Sequence, residues 1–510
     1  MALRTAAASL TWCSAPDEEV ELTTKQKQKK EFVRPEDERL PIGATIGYGI
    51  QHVLTMYGGI IAPPLIIGQI AGLKPAEIGV LIAACLFMGG LATILQTVGV
   101  PFFGSQLPLV QGVSFAGVAT MGAIVTSGGG LPAVFGSVIA ASVIGLLIAP
   151  VFATVIRFFP PVVTGTVITT IGLSLLPVAA GWIVGTGEGG AAKGAPADNL
   201  LLAGITLVIV LILSKIPVGA ISRLAILLSI VLGTIVAIFL GKADFSKVGE
   251  GDIFALPQIF GFGMPTFQLA GIISMFIVIL VTLTETTADI LAVSEIVGTK
   301  VDSKRIAAGL RADMLSSAVS PIFGTFTQSA FAQNVGLVAI TGVKSRFVVT
   351  AGGGVLVILG LLPVLGRVVG AIPSPVLGGA GLVLFGSVAA SGIRTLSKVE
   401  YKDNMNLVIV ATSLAVGMLP IAVPSIYGQM PAWFVTIFHS GISSAAVTAI
   451  LLNLLFNHLG SSKRKNAFVS APTRSIPVAY LDAFEDGDSI VDGKIVDRDG
   501  NEVTVEHPAH

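Results

Sequence analysis

Ionisable side chains stand inside apolar sequence, where such groups are expensive. The stretch IVILVTLTETTADILAVSEI carries Glu285 and Asp289 four residues apart, on one face of any helix it forms. A later stretch, IAAGLRADMLSSAVS, carries Arg311 and Asp313, and early in the chain Gln51 precedes His52. A charged side chain at the middle of a bilayer costs at least about 2.5–3.5 kcal/mol on insertion scales. Two acids on one face are therefore hard to explain as lipid-facing decoration. Such a pair can carry a proton, and an ionised carboxylate can accept hydrogen bonds from a polar molecule. The alternative is a structural pair hydrogen-bonded to the first or ninth span. Asp313 is expected to face His52 across the core, as a relay or a helix-to-helix clamp. Arg311 is expected near an interface, where its stem can snorkel.

A second polar cluster lies in TFTQSAFAQNVGLVAITGVKSR, from Thr325 to Arg346. Gln328, Ser329, Gln333 and Asn334 fall too deep in apolar sequence for an ordinary membrane helix. Non-helical backbone at that depth is tolerated only where protein or a water-filled cavity surrounds it. The pattern predicts an extended piece over 326–332, then a half-helix over 333–340. Exposed N–H groups and a positive dipole end would point from it into the middle of the membrane.

The elements that must position these residues are membrane spans. Of the 510 residues 53% are hydrophobic and 12% charged, against roughly 25% charged in soluble domains. Apolar runs predict about fourteen spans, at 43–68, 76–97, 107–126, 131–156, 160–184, 199–216, 222–241, 267–294, 303–322, 325–341, 346–370, 374–393, 404–423 and 439–459. The fold class is an all-α polytopic membrane protein. Between the last two spans PSIYGQMPAWFVTIFH suits the interface, with Trp433 at headgroup level. Residues 1–40 form a polar tail without signal-peptide features, and 460–510 a second, acidic one.

Lysine and arginine concentrate in loops after even-numbered spans, which puts both termini in the cytoplasm. The net charge of +0 and the lack of a basic stripe give no reason to expect nucleic acid as a partner. Two cysteines, Cys13 and Cys85, offer no disulfide framework, and the five histidines suggest no metal cluster, so no cofactor is expected. Gly185, Gly187 and Gly190 spell a nominal dinucleotide motif, but no strand precedes it and no βαβ unit surrounds it.

The two halves echo each other. The third span opens LPLVQGVSFAGVATMGA, with Gln111 and Ser114 among apolar residues, and seven spans later comes FAQNVGLVAITG. Interrupted segments at corresponding positions mark an inverted-repeat transporter and its binding site.

These motifs resemble the nucleobase–ascorbate transporter family. Gln333-Asn334-Val335-Gly336 with Thr341-Gly342 and Lys344 matches its signature. Gln51-His52, the run Gln111 to Phe115, Glu285 with Asp289, and Asp313 fit as well, and the likeness covers roughly residues 40–460. The resemblance implies a 7+7 inverted repeat, with short strands and half-helices in segments 3 and 10. It implies a core domain (about 43–156 and 267–370), a gate domain (about 160–241 and 374–459), elevator-like movement and a homodimer. It implies that Glu285 binds substrate, and that Gln333 matches the glutamine of the xanthine and uric acid branch, where uracil transporters carry an acid and ascorbate transporters a proline. Phe115 and Ala332 match residues whose backbone N–H groups face the substrate, with the Phe115 ring stacking on it. His52, Ser114, Asp289, Asp313 and Asn334 match a supporting network.

The side-chain chemistry agrees with a purine-dione. Glu285, ionised, only accepts and suits two ring N–H groups, while Gln333 both donates and accepts and suits a C=O and N–H pair. The expectation is a proton-coupled permease for xanthine and/or uric acid in the cell membrane, sodium being the other candidate ion. The rivals are a permease for another nucleobase such as uracil, guanine or hypoxanthine, and an anion exchanger of similar architecture. An intramembrane enzyme is disfavoured, because Glu285 and Asp289 lack a nucleophile or metal partner.

Overall fold

The computed structural model describes residues 34–152, 160–185, 194–216, 221–222, 224–246, 248–249, 253–401 and 405–458, and two short strands within 489–496. The glycine motif after Gly185 and most of both tails lie outside the described residues.

The first half begins with two long helices, α1 (Ile42–Ile70) and α2 (Pro75–Val98). Pro75 opens α2 where its missing N–H costs nothing, and the Glu77 carboxylate accepts from the Lys74 N–H at 2.7 Å. A three-residue strand β1 (Gln111–Val113) leads through a 3₁₀ turn into a short helix α3 (Val118–Ile124). Then come α4 (Gly130–Ile148), α5 (Pro161–Val184), α6 (Ala197–Lys215) and α7 (Ala225–Phe239).

The second half repeats the order. α8 (Leu269–Val297) ends where Gly298 turns left-handed at φ 81°, and α9 (Ser303–Val319) starts on Asp302, whose side chain accepts from the Arg305 N–H. Strand β2 (Gln328–Ala330) leads into the half-helix α10 (Ala332–Thr341). The chain continues through α11 (Arg346–Gly360), α12 (Pro363–Gly370), α13 (Ser374–Leu396), α14 (Met405–Ala422), α15 (Ala432–Phe438) and α16 (Gly441–Asn453). In the tail, β3 (Ser489–Val491) pairs antiparallel with β4 (Lys494–Val496).

The architecture is helical and membrane-spanning. Among the described residues eight helical stretches are long and apolar enough to cross a membrane, nine when α11 and α12 are taken together. The single span expected over 346–370 is instead broken, with α11 and α12 bent by 77°. Pro363 opens α12 and cannot continue α11, because it has no N–H to give. The 432–438 segment is a short helix with Trp433 exposed, as an interfacial element requires. α2 packs on α1, α11 and α12; α4 packs on α8 and α9; α5 packs on α13, α14 and α16; α6 packs on α7 and α13.

Candidate functional site

Two strand–half-helix units meet at the centre. β1 and β2 pair antiparallel, Gln111 opposite Ala330, Gly112 opposite Ser329 and Val113 opposite Gln328. The ladder extends one bond beyond each end, from the Ser114 N–H to the Thr327 carbonyl at 2.9 Å and from the Phe331 N–H to the Val110 carbonyl at 3.0 Å. Each outer edge is held by a hydroxyl from a neighbouring helix. The Gln111 N–H donates to Thr93 Oγ1 of α2 at 2.9 Å, and the Gln328 N–H to Ser317 Oγ of α9 at 2.8 Å. Polar backbone at this depth is thus satisfied on both sides, as a spanning protein demands. The antiparallel pairing turns one unit end for end against the other, which is the inverted repeat made visible.

Each strand hands over to a helix start. Ser114 caps the turn at Phe115 by accepting from the Ala116 N–H at 3.3 Å. The half-helix in the second unit begins at Ala332, one residue earlier than the polarity pattern predicts. Phe331 is the reason: its N–H is spent on the strand ladder and its extended backbone (φ −104°, ψ 106°) makes it the N-cap. Gln333 is then the second helical residue, and the side chains of Gln333 and Ala332 are exposed where that of Asn334 is buried.

The predicted polar network divides into two clusters. Asn334 Nδ2 lies 3.0 Å from His52 Nδ1 and donates to the His52 carbonyl at 3.1 Å, tying α10 to α1. An amide nitrogen only donates, so Nδ1 accepts and the ring proton sits on Nε2. Among the described residues no hydrogen bond joins Asp313 to His52. Asp313 Oδ2 accepts from Thr286 Oγ1 at 2.5 Å, and the Ala330 N–H points at the same hydroxyl at 3.4 Å. The second unit accounts for the separation, since β2 packs on α9 while α10 packs on α1.

Glu285 and Asp289 are half-buried on α8, which packs against α10, and no hydrogen bond or salt bridge reaches either among the described residues. The link from α8 to α9 is made by Thr286, not by the acids. Arg311 leans on the Phe102 carbonyl at 3.4 Å, at the edge of the bundle.

Aromatic rings set the remaining wall. The Phe115 ring lies 6.5 Å from Phe331 and 6.3 Å, edge-on, from Phe385 of α13. Phe331 occupies a slot that glycines leave open: a Cβ on Gly59 would lie 2.8 Å from its Cε1, and one on Gly112 2.7 Å from its Cε2. Beside this slot a cavity of about 140 Å³ lies between α1, α7, α10 and α13. Gln333 lines it together with Thr55, Gly58, Gly59, Ile226, Leu384 and Ser387. Of the four residues expected to touch substrate, Gln333 reaches this cavity, whereas Phe115, Glu285 and Ala332 are not on its wall.

Sequence reading missed Phe331, Thr286, Phe385 and Ser387. Thr286, beside Glu285 in the TETT run, had a polar signal available, whereas the phenylalanines look like any other apolar core residue.

Residues 43–426 match the permease family Xan_ur_permease. The chain is 40% identical over 422 residues to the xanthine permease of Bacillus subtilis, covering 83% of this chain and 96% of that one. It is also 40% identical over 430 residues to the uric acid transporter UacT of Escherichia coli, covering 83% and 89%. The transmembrane domain of the cyanobacterium bicarbonate transporter BicA superposes with a TM-score of 0.53 at 16% identity, covering 80% of this chain and 96% of that domain.

Proposed function

Because the chain belongs to the permease family of xanthine and uric acid carriers, we propose that it is a secondary active purine permease carrying xanthine and/or uric acid with protons. The observation that carries the ring-reading part is Gln333, which lines the cavity from the first turn of a half-helix. There it can meet a ring C=O and N–H together, and the exposed start of α10 adds N–H donors for a carbonyl or a partly anionic urate. Glu285, on the helix packed against α10, supplies the acceptor for ring N–H groups. The Phe115 ring offers a stacking face.

Movement is proposed to be elevator-like. A core (about 43–156 and 267–370) would slide against a gate (about 160–241 and 374–459), in a homodimer of the cell membrane with both termini in the cytoplasm. The mutual packing of α5, α13, α14 and α16, apart from that of α1, α2, α11 and α12, supports this division. His52, Glu285, Asp289 and Asp313 would carry or gate the proton, and ionisable groups at such depth support coupling. The likeness in fold to a bicarbonate transporter favours a second reading as an anion carrier. Against it stands Glu285, whose charge would repel a small inorganic anion, which has no ring N–H groups to offer its carboxylate in return.

The test is Gln333→Glu. The change keeps an acceptor but turns the donor into a second acceptor facing a substrate carbonyl. Loss of matched polar groups discriminates strongly, whereas one methylene in an apolar pocket is worth only about 1–3 kcal/mol. Xanthine and urate uptake should fall sharply, urate most. Identical inhibition of labelled xanthine uptake by unlabelled xanthine, urate and uracil in wild type and variant would show that Gln333 does not read the ring.

A further inference from the structure

The segment just before α1 is folded, and its acids are used. Pro35–Asp37 forms a 3₁₀ turn, and Glu36 is fully buried although it precedes the first membrane helix. Its Oε1 accepts from Arg305 Nη2 at 2.7 Å and from Thr299 Oγ1 at 3.3 Å. Arg305 also donates from Nε to the Ser105 carbonyl at 2.6 Å and from Nη2 to the Gln106 carbonyl at 2.9 Å. Asp37 repeats the arrangement. Its Oδ1 accepts from Arg346 Nε at 2.6 Å, while Arg346 Nη1 donates to the Thr97 and Val98 carbonyls at 2.8 Å each. Arg34 closes the turn, giving Nε to Asp37 Oδ2 at 2.8 Å and Nη2 to Gln106 Oε1 at 3.1 Å.

The two arginines are therefore used alike. Each belongs to the second half of the chain, each is held by a carboxylate of the N-terminal turn, and each caps backbone carbonyls of the first half. Their positions tie this to the central site. The carbonyls of Ser105 and Gln106 lie a few residues ahead of β1, and Arg346 begins α11 just beyond α10. Thr97 and Val98 end α2, whose last carbonyls have no partner within the helix. A guanidinium shared between a carboxylate and carbonyls makes charge-assisted bonds in fixed fork geometry, and a lysine would not replace it. Burial works against the Asp37 carboxylate, but the hydrogen bonds and charges of Arg34 and Arg346 outweigh it and hold its carboxyl below the ordinary range.

We infer that Pro35–Asp37 is a clasp that fixes the two strand–half-helix units relative to each other, with Glu36 and Asp37 acting as positioning residues through Arg305 and Arg346. At the centre the units share a three-residue ladder with its flanking bonds and the packing of Phe331 against Gly112 and Phe115. The clasp holds them together at the end of the bundle from which α1 starts. Its loss frees the approach to β1 and the exit from α10, and so loosens the spacing between Phe115 and Gln333.

Hydrogen exchange on the full chain in lipid nanodiscs tests this, with uptake kinetics as a second arm that rests on the purine-permease reading. In Glu36→Gln, exchange over 105–113 and 326–335 should quicken at least tenfold while the other helices stay within twofold. KM for labelled xanthine or urate should rise at least fivefold, with the maximal rate per molecule within twofold. Glu36→Gln combined with Arg305→Gln should exchange no faster than Arg305→Gln alone, because the two act as one unit. Should Glu36→Gln fail to fold, Asp37→Asn, at a partly exposed position, should show the same local pattern at smaller size. A uniform rise in exchange with unchanged KM would make the turn a mere stability element and overturn the inference, as would no rise at the strands. A wild type that carries no purine would sink the functional reading instead, and the exchange arm would still decide the clasp.

Discussion

Replacing Asn334 separates a positional contact from a merely polar one. Its side chain is 1% exposed, and Nδ2 is shared between His52 Nδ1 at 3.0 Å and the His52 carbonyl at 3.1 Å. Asn334→Ala removes both bonds and leaves Nδ1 buried without a partner, a loss of about 1–3 kcal/mol. If that loss falls on the working arrangement of α1 and α10, its population drops roughly 5- to 150-fold. Asn334→Asp should be worse, although it is closer in shape. The histidine can answer a carboxylate by moving its proton to Nδ1, but the His52 carbonyl cannot become a donor. One acceptor would therefore face another in a dry site. The assay is thermal unfolding of the purified variants beside KM for labelled substrate, with His52→Ala completing a double-mutant cycle. The reasoning fails if Asn334→Asp matches wild type, or if the His52 and Asn334 changes prove additive, since groups in one contact should couple.

Glu285→Gln should nearly abolish uptake at unchanged membrane level, because the amide offers a donor where a ring N–H needs an acceptor. An unpaired buried donor costs about 1–3 kcal/mol and the lost charge adds to it; near-normal affinity would remove Glu285 from the site. Asp37 gives a pH prediction. Its carboxyl is held below the ordinary value of 3.8, so the stability it adds is present above that value and is lost only as pH falls through the lower, folded one. The difference in thermal stability between wild type and Asp37→Asn should therefore be flat from pH 5 to pH 8 and shrink only in stronger acid, where a decline already near pH 6 would contradict the pairing with Arg34 and Arg346.

The legible parts of this fold are those with a local signal. Long apolar runs announce α1, α2 and α8, because a membrane span must satisfy its backbone within itself. The amides from Gln328 to Asn334 announce broken backbone for the complementary reason. What stayed hidden is pairing over distance. Nothing near Asp313 says that its partner is Thr286 and not His52, and nothing near Phe331 says that Gly59 and Gly112 leave room for its ring. The N-terminal clasp is the clearest case: Glu36 and Asp37 read as a solvated tail, yet their partners lie some 270 and 310 residues away at Arg305 and Arg346. Polarity marks Gln333 as the start of α10, but the backbone of Phe331 sets the cap so that the helix begins one residue earlier, at Ala332. The break between α11 and α12 was available from Pro363, but the apolar run on both sides masked it.

The proposed role of the Gln333 cavity in a proton-coupled purine permease is open to one decisive assay, uptake of labelled xanthine, urate, uracil, sulfate and bicarbonate into cells lacking their own transporters, with and without a protonophore. A purine permease of this kind should accumulate xanthine, urate or both, inhibited by the unlabelled compound and collapsed by the protonophore, with no uptake of the inorganic anions. Uptake of sulfate or bicarbonate, or of uracil in place of the purine-diones, would contradict it.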